Sequence, residues 1–153
     1  MPTTARFSKY KRNNYLIWIL FCIICALWFG YDGYYNEKFI NENLTEEGSP
    51  NSKLAFNRKT PPVFAAAAVL LVIRLLTIRK AGVTADEKGL IINNRLRIPY
   101  DSIEKINKTY FDSKGFFTVT YKDESGNENE RKISDRVYDD LEPVLEETIS
   151  RIS

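Results

Sequence analysis

The stretch GLIINNRLRIPYDSIEKI, residues 89–106, decides the fold. Its apolar residues alternate with polar ones, and Asn93-Asn94 stands between two short runs. Alternation with a period of two marks a half-buried strand. Asn tolerates the positive φ that a type I′ turn demands. The stretch therefore reads as a hairpin with arms at 90–93 and 95–99. Yet it begins eleven residues after VFAAAAVLLVIRLLTI, residues 63–78, a run made for lipid. The fold class that follows is α+β: a two-helix transmembrane hairpin, then a small antiparallel sheet or barrel capped by a C-terminal helix.

Working toward the C-terminus, the pattern predicts a strand near 78–85, a turn at Asp86-Glu87-Lys88-Gly89, and the 90–99 hairpin. Strands follow at 103–111, at 116–122, where Phe117, Val119 and Tyr121 share one face, and at 128–133. Asp139-x-x-Glu142 has the spacing of a capping box, with Pro143 in the first turn. Leu141, Val144, Leu145, Ile149 and Ile152 then form one helical stripe.

These hairpins, the Ile98-Pro99-Tyr100-Asp101-Ser102-Ile103 element and the closing helix resemble the bacterial pleckstrin-homology-like domain over about residues 78–152. The resemblance implies a binding fold, a bent sheet closed by a helix. Six strands are read here, where that fold has seven. Eukaryotic relatives hold inositol phosphates on a basic cluster in the first hairpin. The matching turn, 86–89, carries two acids and one Lys, which argues against that ligand. Arg95 and Arg97 alternate with Leu96 and Ile98 and read as a solvated strand face.

Toward the N-terminus, two runs reach span length. Residues 14–31 hold no charge, and their 18 residues cover about 27 Å as a helix. Tyr15 and Trp18 flank one end and Trp28, Tyr31, Tyr34 and Tyr35 the other, an aromatic belt. The run is too long and aromatic for a cleaved signal peptide and reads as an uncleaved anchor. The second span is 61–78, with Thr60 as N-cap and Pro61 at the first helical position. Arg74 lies four residues before its end, so its stem can snorkel to the interface. The rival reading, an intramembrane ion or substrate site, wants a second polar partner, and neither run offers one. Cys22, Ala26 and Gly30 repeat every fourth residue and would pack against Ala65, Ala66 and Ala68.

Basic residues set the orientation. Arg6, Lys9, Lys11 and Arg12 precede the first span, and Arg79 and Lys80, joined by Arg74, close the second. Both termini are expected in the cytoplasm of a bacterial inner (plasma) membrane, with these seven residues at the lipid interface. The domains are then a basic cytoplasmic tail (1–13), a span (14–31), an extracytoplasmic loop (32–60), a span (61–78) and a cytoplasmic domain (79–153). In the loop, Asn36 would N-cap a short helix ending at Gly48. Asn43-Leu44-Thr45 is a glycosylation sequon that matters only on a eukaryotic secretory route.

Composition narrows the chemistry. The 153 residues carry 22 Lys and Arg against 20 Asp and Glu, too even a balance for a nucleic-acid-coating protein. The chain has no histidine, which removes the commonest general base and zinc ligand. Cys22 and Cys25 lie in an apolar run and form no disulfide framework. No nucleophile–base pair, Gly-rich phosphate loop or cofactor motif stands out. Asp139, Asp140, Glu142, Glu146 and Glu147 read as a solvated acidic helix face rather than a metal site. The sequence thus points away from an enzyme. It points to a membrane-anchored interaction module, an accessory or scaffold subunit of a larger membrane complex. The alternative is a lipid-handling or transport-related protein that uses the basic juxtamembrane residues. The expected partners are membrane lipids and another membrane protein or complex, without cofactors or nucleic acid.

Overall fold

The computed structural model describes residues 1–153. The chain is α+β and divides into two units, Met1–Arg12 with Thr77–Ser153, and Asn13–Leu76.

The first unit corrects the reading of residues 1–13 as a tail. Thr3–Phe7 is a strand, β1, in the interior of a five-stranded antiparallel sheet of order β4-β3-β2-β1-β8. The other strands are β2 (Gly82–Ala85), β3 (Gly89–Ile92), β4 (Leu96–Pro99) and β8 (Tyr138–Asp139). β1 pairs with β2 from Thr3↔Ala85 to Arg6↔Gly82, and with β8 at Arg6↔Asp139 and Phe7↔Tyr138. Its period of two puts Ala5 in the core at 0% exposure, while Thr4 and Arg6 face out. The folded domain expected at 79–153 therefore takes a buried strand from the opposite end of the chain.

Asn93 and Asn94 have φ of 55° and 54°, so the β3–β4 connection is the two-residue turn that the sequence predicts. Gly89 is required where it stands, because a Cβ there would collide with the Ile98 carbonyl oxygen. A three-residue helical turn at Tyr100–Ser102 leads into the second sheet, β5 (Ile103–Asn107), β6 (Phe116–Lys122) and β7 (Glu128–Ser134). The strand expected at 103–111 stops at Asn107, and Phe111–Lys114 is a short helix, α4, ended by Gly115 at φ 68°. The two sheets remain separate and do not close into a barrel.

Phe117 and Val119 are fully buried and Tyr121 nearly so. They meet Val83, Leu90, Ile98 and Ile133 in one core, which α5 (Leu141–Ile152) closes with Leu141, Val144 and Leu145. The capping box at Asp139 does not form. Tyr138 and Asp139 are drawn into β8, so the N-cap falls to Asp140, in the left-handed region at φ 59° and without a side-chain cap bond.

The second unit holds most of two long apolar helices, α1 (Lys9–Tyr34) and α3 (Ser52–Ile78), each long and apolar enough to cross a membrane. Both exceed the runs read from sequence. In α3 the helix continues through Pro61 and Pro62 rather than starting there. The cap is Asn51, whose Oδ1 accepts from the N–H groups of Lys53 and Leu54 at 3.0 Å. Thr60 instead turns its hydroxyl to the Phe56 carbonyl at 2.6 Å.

Between the helices, α2 (Glu37–Glu42) starts as expected. Asn36 caps it by accepting from the Phe39 N–H at 3.2 Å. It ends at Asn43, short of Gly48, which sits at φ 75° in a tight turn. Asn43 is buried. Its Nδ2 donates to the Phe39 carbonyl and its Oδ1 accepts from Asn51, so the sequon's amide is committed to the loop.

Candidate functional site

The β1–β2 pairing gathers charges that are about seventy residues apart in sequence. Arg6 lies on β1, Lys9 and Arg12 in the first turn of α1, and Arg79 and Lys80 in the turn before β2. Together they line an open cleft of about 990 Å³ within the first unit. Phe7 and Ala81 add apolar wall, and Asp139 and Asp140 two carboxylates.

The local geometry explains why the cations stay available. The ion pairs of this chain are Arg97–Asp86, Lys122–Glu104 and Arg151–Glu147, and none involves a cleft residue. The Asp139 carboxylate is engaged instead by backbone, since its Oδ2 accepts from the Lys9 N–H at 2.9 Å. That bond satisfies one of the donors left free at the start of α1 and sets negative charge against the positive end of the helix. The end of β1 is tied to the segments on either side of it, and β8 is tied to the β3–β4 turn. Phe7 N–H donates to Ala81 at 3.1 Å and Ser8 N–H to Val137 at 2.8 Å, and Tyr138 Oη donates to Asn93 Oδ1 at 2.7 Å. Five cations gathered around one cleft repel one another, so the cleft favours an anion.

Five of the seven residues expected at a lipid interface thus converge on one feature: Arg6, Lys9, Arg12, Arg79 and Lys80. Lys11 and Arg74 are not part of it, and Arg74 is exposed on α3. Sequence reasoning did not find Asn94, Thr4 or Thr84 at this cleft, because it had no β1.

The first hairpin is organised differently. Asp86 Oδ1 accepts from the N–H groups of Lys88 at 2.8 Å and Gly89 at 3.0 Å, and its Oδ2 pairs with Arg97 at 3.0 Å. These contacts, the Lys88 N–H first, hold its carboxyl below the ordinary value against the opposing effect of burial. The turn's own acid therefore occupies the donors that an incoming phosphate would need.

Of the small residues expected to join the apolar helices, Cys22 and Ala68 are buried, and Ala26 and Gly30 half-buried. Ala65 and Ala66 are exposed, because the contact side of α3 passes through Phe64, Ala67 and Ala68. Phe29 stacks on Phe64 at 6.0 Å and meets Phe56 edge-on at 5.5 Å. The tightest approach is at Gly33, missed in the sequence: a Cβ there would lie 3.0 Å from the Asn57 carbonyl carbon and oxygen. At Gly30 the nearest atom would be 3.7 Å away, on Pro61.

The acidic face of α5 breaks up in the same way. Asp139 and Asp140 belong to the basic cleft, and Glu147 pairs with Arg151 at 2.8 Å. Glu142 and Glu146 border a smaller groove of about 430 Å³ against α4. No group of three or more Cys, Asp or Glu side chains converges to hold a metal ion. Comparison of the chain with family models, with curated proteins and with solved structures finds no match.

Proposed function

We propose that this chain is a membrane-anchored, non-catalytic interaction module with a pleckstrin-homology-like head, an accessory or scaffold subunit of a larger membrane complex. The observation that carries the reading is the pairing of β1 with β2. β1 precedes the first apolar helix and β2 follows the second, so both ends of the helical pair feed one folded unit. A pair of crossings returns the chain to the side it left, which agrees with the basic flanks at 6–12 and 79–80 and with both termini in the cytoplasm of a bacterial plasma membrane. One residue, Ser8, separates β1 from α1, and three separate α3 from β2. Anchoring the helices in lipid therefore anchors the head.

The test is cysteine labelling in intact cells, with Cys22 and Cys25 replaced by Ala. A membrane-impermeant reagent should label Gly48→Cys from outside and miss Ser125→Cys until the membrane is opened. Reversed labelling, or recovery of the chain in the soluble fraction, overturns the topology. The partner question is answered by native mass in mild detergent, where a second protein in fixed stoichiometry is the expected result. A second reading, a lipid-handling protein, is favoured by the gathering of five unpaired cations in one cleft.

A further inference from the structure

We propose that the cleft beside β1 binds the phosphate of an anionic phospholipid headgroup. The inference rests on the membrane placement above and adds a ligand class to it. Three features carry it. The cleft draws Arg6, Lys9, Arg12, Arg79 and Lys80 from two distant chain segments, and none of their side chains forms an ion pair. Arginine presents a planar fork of donors that matches phosphate oxygens, and lysine adds a mobile point charge. Its volume of about 990 Å³ admits a headgroup, and Phe7 and Ala81 give apolar wall beside the cations.

The source of the phosphate is argued from where these residues stand. Lys9 and Arg12 lie in the first turn of one apolar helix, and Arg79 and Lys80 directly follow the last residue of the other. A free phosphate could reach cations anywhere on the head. A headgroup reaches only those next to the hydrocarbon, and these five stand where the head joins the two apolar helices. The site is separate from the first hairpin, where Asp86 already satisfies Arg97 and the turn amides.

The experiment uses the full chain in nanodiscs of phosphatidylcholine doped with phosphatidylglycerol, followed by transfer to mild detergent and native mass spectrometry. Retained phosphatidylglycerol is expected on the wild type, with phosphatidylcholine absent. The double substitution Arg79→Gln/Lys80→Gln should weaken retention by roughly ten- to thirtyfold. The control Lys88→Gln/Arg136→Gln removes the same charge from exposed positions outside the cleft and should leave retention unchanged. Circular dichroism of both variants checks that the head stays folded. Equal losses in the two double variants would show general charge attraction and overturn the proposal. So would displacement of the lipid by millimolar inorganic phosphate, which would assign the cleft to a free anion. A protein found in the cleft in place of lipid would overturn it too. A chain that inserts in the membrane and retains no phosphatidylglycerol refutes this inference and leaves the anchoring intact.

Discussion

Tyr34 donates its hydroxyl proton to the Arg58 carbonyl oxygen at 3.0 Å, and that carbonyl is the one Pro62 deprives of its helical donor. A helical carbonyl at position 58 would accept from the N–H of residue 62, and proline has none. The repair is reciprocal. Arg58 Nε donates at 2.9 Å to the Gly33 carbonyl, which lies in the last turn of α1 where carbonyls lack partners. Two helix defects thus satisfy each other.

This predicts a coupled mutant pair. Tyr34→Phe should cost about 1 kcal/mol, the ordinary worth of one such hydrogen bond. In a Pro62→Ala background the residue-62 N–H takes the bond back, and the same change should cost close to nothing. A double-mutant cycle on unfolding in mixed micelles measures it. Equal costs in both backgrounds would separate Tyr34 from the proline.

The position of β1 predicts how the head can be isolated. Residues 79–153 alone lack the strand between β2 and β8 and leave Val83 and Tyr138 without the neighbour that covers them. Such a fragment should give poorly dispersed NMR spectra. Residues 1–8 rejoined to residue 77 through a Gly/Ser linker should restore dispersion. In the full chain, Ala5→Asp puts a carboxylate at a fully buried site and should destabilise the head by several kcal/mol. A dispersed spectrum from 79–153 alone would make β1 dispensable.

What the sequence discloses follows from how local each signal is. The Asn93-Asn94 turn is legible because two residues carry its whole requirement, a positive φ. The apolar helices are legible because hydropathy is a sum over their own residues. β1 is not: TTARF is five residues with one core side chain, Ala5, and its basic neighbours fit an interfacial tail equally well. Only pairing with a strand nearly eighty residues away gives it structure. The cleft shares that limit. Each cation is visible as charge near a helix end, but their meeting depends on the Thr4–Thr84 register. Asp139 misleads for the same reason, because its spacing to Glu142 is local and its true partner, Lys9, is not.

Acid should loosen the first hairpin before the rest of the sheet. The Asp86 carboxyl titrates below its ordinary value, first through the Lys88 N–H and then through Arg97. A depressed carboxylate stabilises the fold above the unfolded value of about 3.9, and this is lost as pH falls through the folded value. Asp86→Asn keeps an acceptor oxygen but removes the charge. The wild type should therefore lose hydrogen-exchange protection at Leu90 and Ile91 as pH drops below about 4. The variant should be less protected at neutral pH and flatter across the acid range. A variant with the same acid profile as the wild type would move the sensitivity elsewhere, with the similarly depressed Asp123 the next carboxylate to test.

Asp139 both caps the start of α1 and adds a negative charge to the basic cleft. Its Oδ2 accepts from the Lys9 N–H at 2.9 Å, and the residue also lines the cleft with five cations. Removal of such a cap costs about 1 kcal/mol, part of it the hydrogen bond and part the charge at the helix start. Asp139→Ala should incur the whole loss. Asp139→Asn keeps an oxygen and should lose only the charge part, about 0.3–1 kcal/mol. Both substitutions raise the positive charge of the cleft by one. If the cleft holds a lipid phosphate, Asp139→Asn should retain phosphatidylglycerol more tightly than the wild type while the head unfolds at lower temperature. A carboxylate that only capped the helix would lower stability and leave lipid retention unchanged. One that supported the cleft by fixing Lys9 would lower both. Native mass spectrometry and thermal unfolding of the same two variants separate these outcomes, and only movement in opposite directions fits an acid that trades anion affinity for a well-started helix.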